Sequence, residues 1–240
     1  MKILLKNATI LDPSSTFHSS KQDLLIKDGV IAIIGEHIND TDNAKVIEHD
    51  NLHVSKGWFD SGVSFGEPGY EERETLDNGL HVAASSGFTK IFLNPDTIPI
   101  PDSNASISHL IKMGQNKTTS LYPIGSLTEK AEGKQLASLY DMHEQGAIGF
   151  GDYKSSFISG NLLKIALQYA QSFDGTIFSH PMDLEVSESG VMHEGKISTK
   201  IGVRGVPTIA ETIQISRDLQ ILSYTAVSYT HLTLPTIYSV

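Results

Sequence analysis

Two hydrophobic rhythms divide this chain. Up to about residue 55 the apolar residues fall in short β-type runs: 2–11, closed by Asp12-Pro13, then Leu24–Lys27 and Val30–Gly35 around Asp28-Gly29, then Val46-Ile47 and Leu52–Val54. Asp and Gly tolerate the positive φ of a type I′ turn, so the stretch 23–35 predicts a hairpin. Residues 1–55 read as a small β-domain. From Lys56 onward short apolar runs alternate with amphipathic ones. The pattern predicts strands at 57–63, 88–94, 119–126, 146–151 and 175–180, and helices at 71–86, 103–116, 133–144 and 160–173. A further helix at 207–222 opens with Pro207, whose fixed φ suits a first helical turn. Strand–helix alternation at this spacing predicts parallel βα units. Five units fit either a partial (β/α)8 barrel or an open doubly wound sheet. No Gly-x-Gly-x-x-Gly or Walker pattern occurs, which disfavours the nucleotide-binding versions.

The net charge of −10 argues against a nucleic-acid binder, which needs a basic face. With no cysteine, disulfides and thiolate metal sites are excluded, and a reducing cytoplasm is the expected setting. Met1–Lys6 has only three apolar residues between two lysines, too few for a signal-peptide core. No run approaches the roughly 20 apolar residues of a membrane span.

The C-terminus departs from the rhythm. After Asp218 the last 22 residues hold no Lys, Arg, Asp or Glu. Residues 227–240 read as a foreign tail, with a native β-rich segment as the alternative. An eight-stranded barrel typically takes about 250 residues by itself, so the barrel region, 56–226, is expected to be partial and the chain a fragment.

In a barrel, chemistry sits where strands end. Those ends read Asp60-Ser-Gly-Val-Ser64, Asn94-Pro-Asp96-Thr97, Gly151-Asp152-Tyr153 and Ser179-His180-Pro-Met-Asp183. The first continues as Asp60-Ser-Gly-Val-Ser-Phe-Gly-Glu-Pro-Gly69. This resembles the Asp-x-His-x-His-x-Arg-Glu-Pro-Gly motif of the dihydroorotase branch of the amidohydrolase superfamily. Gly62 and Ser64 then stand at the two His positions and Gly66 at the Arg position, while Glu67-Pro68-Gly69 is retained. Asn94-Pro-Asp-Thr97 resembles that group's Met-Pro-Asn-Thr, whose Asn contacts substrate, so Asp96 marks an altered substrate contact. Gly146-Ala147 through Phe150-Gly-Asp152 and His180-Pro-Met-Asp183 are similar to its fourth and fifth strand ends. There the resemblance implies Asp152 and His180 as metal ligands. Gly190 through Ser198, Gly205-Val-Pro207 and Ala210-Glu211 continue the likeness, which is collectively specific for the type I dihydroorotase and allantoinase group.

The resemblance implies an amidohydrolase (β/α)8 barrel, zinc, and interconversion of dihydroorotate and N-carbamoyl-aspartate in pyrimidine biosynthesis. Opening a cyclic amide needs a hydroxide nucleophile and a polarised carbonyl, and zinc supplies both by lowering the pKa of bound water from about 16 to about 7. A catalytic zinc takes about three protein ligands. Gly62 offers none and Ser64 a poor one, so Gly62 and Ser64 are degenerate metal positions. Gly66 removes a bidentate fork for a substrate carboxylate. Catalysis is therefore expected to be impaired or lost, with a structural role beside aspartate carbamoyltransferase. The alternative is a working zinc-dependent dihydroorotase, allantoinase or hydantoinase using Asp152 and His180. An open sheet would also favour oligomers.

Each candidate has a plainer reading. His180 serves as a hydrogen-bonded strand-end residue or as a ligand, Asp152 caps a turn or binds metal, Asp60 holds loop amides, and Asp183 caps the following loop. His53, His81 and His193 read as surface residues, and His231 belongs to the suspect tail. Strand alternation puts 62 and 64 on one face, so histidines at both would complete a four-ligand zinc set with Asp152 and His180.

Overall fold

A computed structural model of the 240-residue chain describes residues 1–39, 42–154 and 158–225. The expected tail at 227–240, with His231, lies outside the described residues. The chain divides into two compact units, one ending at Trp58 and the other beginning at Phe59.

The first unit is a five-stranded sheet. It comprises β1 (Lys2–Leu11), β2 (Lys21–Lys27), β3 (Val30–Gly35), β4 (Lys45–Glu48) and β5 (His53–Ser55). The order is β3-β2-β1-β4, with β5 also on β1. The β2–β3 hairpin turns at Asp28 and Gly29, whose φ values of 51° and 81° are the positive pair a type I′ turn requires. Leu4, Leu25 and Ile38 form one apolar cluster, and Ala8, Ile10 and Leu24 another.

A single buried carboxylate fastens this sheet to the loop that follows the hairpin. Asp23 accepts from Lys6 Nζ at 2.7 Å, the Asn7 amide at 3.0 Å and the Ile38 amide at 3.0 Å. Burial alone would push Asp23 up, but Lys6 and the two amides outweigh it and hold the group below its ordinary range. Its contribution is therefore complete above the ordinary carboxylate range and is lost as pH falls through the lowered folded value. Asp23→Asn is expected to cost about 2 kcal/mol at neutral pH. Urea unfolding of parent and variant should converge at low pH; an undiminished difference there would show that the charge is not what matters.

The second unit alternates strands and helices. Its sheet contains β6 (Trp58–Val63), β7 (Phe88–Leu93), β8 (Ser120–Gly125) and β9 (Gly149–Phe150), in that order. The pairs β7–β8 and β8–β9 are parallel. The expected fifth strand at 175–180 is reduced to a parallel bridge between Phe150 and Ile177. It lies very close: a Cβ on Gly149 would come within 2.5 Å of the Phe178 ring, so only glycine admits this approach.

Helices α1 (Leu76–Ser85), α2 (Asn104–Met113), α3 (Leu139–Glu144) and α4 (Gly160–Gln171) accompany the strands. They cover one face. Leu76 and Leu80 of α1 and Leu110 of α2 pack with Ile91, Leu93 and Leu121. Ile107, Leu139, Met142 and Ala166 pack with Phe150. A 3-10 turn (Glu129–Ala131), α5 (Leu184–Ser187), β10 (Met192–His193), α6 (Lys196–Ile201), β11 (Gly205–Val206) and α7 (Ile209–Thr225) complete the order. The short parallel pair β10–β11 forms its own sheet. The sheet of the second unit is a curled, parallel half-barrel. Among the described residues no helix is long and apolar enough to cross a membrane.

Two boundaries differ from expectation for local reasons. The helix expected from 71 begins at Leu76, because Thr75 is its N-cap and accepts from the Asn78 amide at 3.3 Å. Glu71 instead takes the Gly69 amide at 2.8 Å, and Glu74 the Asn78 side chain at 3.0 Å. The helix expected from 133 begins at Leu139, because Leu136 is held in a bridge to Thr128.

Candidate active site at the strand ends

Asp152 follows β9 and is 2% exposed. Its Oδ1 accepts from Ser126 Oγ at 2.9 Å and the Thr128 amide at 2.9 Å, and its Oδ2 from Thr128 Oγ1 at 2.5 Å. Thr128 Oγ1 in turn accepts from the Gly133 amide at 2.8 Å, and Ser126 Oγ also reaches the Thr128 carbonyl at 2.7 Å. The carboxylate is thus the acceptor hub for the chain leaving β8. Its partners lie 24 to 26 residues away, so no local pattern around Asp152 announces them.

His180 lies just past the bridge at Ile177. Its ring is half-buried and sits 5.8 Å from the Tyr153 ring. Burial, and then the positive charge of Lys154, push the imidazole below its ordinary range, while Glu211 opposes them. It is therefore neutral at neutral pH. His180 and Asp152 line one cavity of about 30 Å³ with Tyr153, Gln214 and Asp218. His180 also lines a second cavity of about 50 Å³ with Ser61, Asn94, Gly151 and Tyr153. The structure thus brings Asp152 and His180 to one place.

Neither cavity is lined by Gly62, Ser64 or Asp96. The strand lines the second cavity with Ser61, while Val63, two residues on, packs with Leu76, Leu80 and Ile91 on the helix side. The Gly62 amide donates to Asp60 Oδ1 at 3.1 Å. Ser64 is exposed and its hydroxyl accepts from Asn94 Nδ2 at 3.2 Å. Asp96 is half-buried, and its Oδ1 is shielded from solvent without a hydrogen-bond partner among the described residues.

The retained Glu67 has a structural task that sequence reading missed: its Oε2 accepts from the Leu76 amide at 2.6 Å, at the start of α1. At the Arg position, Gly66 has φ +104°, and a Cβ there would lie 2.7 Å from the Tyr70 carbonyl oxygen. The loop in this conformation has no room for a side chain at residue 66 without a shift. Asp183 caps α5, accepting from the Glu185 and Val186 amides at 3.0 and 3.1 Å. His53, His81 and His193 are exposed.

These residues do not fit a catalytic zinc. Gly62 has no donor, Ser64 is engaged by Asn94, and Asp152 already receives three hydrogen bonds. Among the described residues, no group of three His, Cys, Asp or Glu is placed to hold a metal.

Comparison with known proteins places this arrangement. The chain is 39% identical over 219 residues to a dihydroorotase from Pelotomaculum thermopropionicum, covering 91% of this chain and 51% of that protein. It is 36% identical over 226 residues to a dihydroorotase from Syntrophus aciditrophicus, covering 93% and 53%. The chain thus spans about half the length of the curated relatives it matches. Among solved structures, the L-hydantoinase (dihydropyrimidinase) from Arthrobacter aurescens shares the fold, with a TM-score of 0.70 at 18% identity, over 94% of this chain and 51% of that one. The profile of the family described as Dihydro-orotase-like matches residues 54–239, a span that includes most of the stretch whose composition reads as foreign. The chain belongs to the dihydroorotase-like family.

Proposed function

We propose that this chain is a cyclic-amidohydrolase scaffold of dihydroorotase type in which ring opening is impaired or lost. The whole protein would belong with the enzymes that interconvert dihydroorotate and N-carbamoyl-aspartate in pyrimidine biosynthesis, in the cytoplasm, and act structurally beside aspartate carbamoyltransferase. The observation that carries this reading is the misfit at the strand ends. The positions of two expected imidazoles hold glycine and serine, and the remaining carboxylate is committed to the turn at Ser126–Thr128. A neutral His180 beside Tyr153 is left without a partner set able to generate hydroxide from water at neutral pH. Loss of a guanidinium at Gly66 removes the fork that would orient a substrate carboxylate.

Two assays test this. Purified protein should show no dihydroorotate hydrolysis above the background of a His180→Ala variant. A pull-down with aspartate carbamoyltransferase should retain the chain. Hydrolysis that disappears in His180→Ala would overturn the loss of catalysis, and no association would remove the structural role.

One observation favours a second reading, an active zinc-dependent dihydroorotase, allantoinase or hydantoinase. Asp152 and His180 line the same cavity. That reading requires Asp152 to exchange hydrogen bonds for metal. It predicts stabilisation of the chain by zinc, which the first reading does not.

A further inference from the structure

One carboxylate of α7 reaches the residue before His180. Asp218 Oδ2 accepts from Ser179 Oγ at 2.6 Å and from Gln214 Nε2 at 3.1 Å, and its Oδ1 accepts from Arg217 Nε at 3.0 Å. A carboxylate only accepts, so this contact orients the Gln214 amide: its nitrogen faces Asp218 and its oxygen the other way. Gln214 is 7% exposed, and its Oε1 is sealed from solvent without a donor among the described residues. Buried acceptors in folded proteins are nearly always paired, with protein or with ordered water.

His180 is the complementary case. A neutral imidazole carries one N–H and one lone-pair nitrogen. Neither ring nitrogen of His180 has a hydrogen-bond partner among the described residues. Both residues line the cavity of about 30 Å³, whose walls all lie between Leu127 and Asp218. A water needs about 10–15 Å³ of such volume, so the cavity has room for one or two.

We propose that Gln214 is a positioning residue for His180: its Oε1 accepts the imidazole N–H through water held in this cavity, and so selects one tautomer. The hydrogen bond made by one ring nitrogen decides the state of the other, which here keeps its lone pair. His180 also lines the cavity of Ser61 and Asn94. A ligand that meets the lone-pair nitrogen there has to bring a hydrogen-bond donor. This role does not involve ring opening, so it stands or falls separately from the loss of catalysis.

Nitrogen-15 spectra of the histidine rings test the proposal on the full chain. They are recorded above the ordinary histidine pH range, with chelator present so that no metal selects the tautomer. The signal missing from His180→Ala assigns His180 among the 10 histidines. The parent should show one protonated and one bare ring nitrogen, not the averaged pair of mixed tautomers. Gln214→Met removes the acceptor and the donation to Asp218, and should release the mixture. Gln214→Glu removes only the donation, and should keep the single tautomer. A mixed tautomer in the parent would overturn the proposal, whether or not the variants fold. So would a single tautomer that survives Gln214→Met. Release by Gln214→Glu would also overturn it, since the effect would then pass through Asp218 and not through the acceptor.

Discussion

Asp152→Ala is expected to destabilise the half-barrel by about 4 kcal/mol, with or without zinc. The carboxylate is the acceptor for the Thr128 amide and the Thr128 hydroxyl, both in a buried setting, and for Ser126 Oγ. Ser126 keeps its other acceptor, the Thr128 carbonyl. The two Thr128 donors do not, and each unsatisfied buried donor costs about 1–3 kcal/mol. Asp152→Asn should cost less, about 1–2 kcal/mol: its amide oxygen can still take the Ser126 and Thr128 donors, and its NH₂ can donate to Thr128 Oγ1. Urea unfolding with added zinc or with chelator separates the roles. A structural acceptor gives the order Ala well above Asn at every zinc level. A metal ligand gives equal losses in Ala and Asn that vanish under chelation.

Gly66→Arg is the second large effect, with an expected cost of about 3 kcal/mol. A side-chain-bearing residue at φ +104° pays about 1–3 kcal/mol in backbone strain. The new Cβ would also meet the Tyr70 carbonyl at 2.7 Å, in a turn closed by the Tyr70 amide donating to the Gly66 carbonyl at 2.8 Å. Because the cost arises at Cβ, Gly66→Ala should carry most of it. Thermal melts of both variants are the check. An Arg variant as stable as the parent would show that the loop adopts another conformation freely, and that the substrate fork could return by one substitution.

What the sequence disclosed is what local chemistry determines. Asp28-Gly29 announced its hairpin because the turn's φ values depend on those two residues alone. Pro207 lies just before α7, and hydrophobic spacing located four strands and the helices that cover them. What stayed hidden depends on residues far apart. Glu67 reaches the start of α1 across nine residues, and Asp152 reaches Ser126 across 26. The strand ends pointed to Asp152 and His180, and the fold does bring these two to one cavity. Gly62 and Ser64 were expected to face it together. Neither of them lines it, and from this strand Ser61 lines the second cavity. The elements α5, α6 and the pair β10–β11 went unnoticed because each is only two to six residues long.

The central claim is that these strand ends no longer supply the donors of a catalytic zinc. Calorimetric zinc titration of the metal-stripped chain, with Asp152→Asn and His180→Ala beside it, tests that claim most directly. The account predicts no stoichiometric binding to the parent and no difference among the three proteins. One zinc per chain, bound by the parent and lost in both variants, would contradict it.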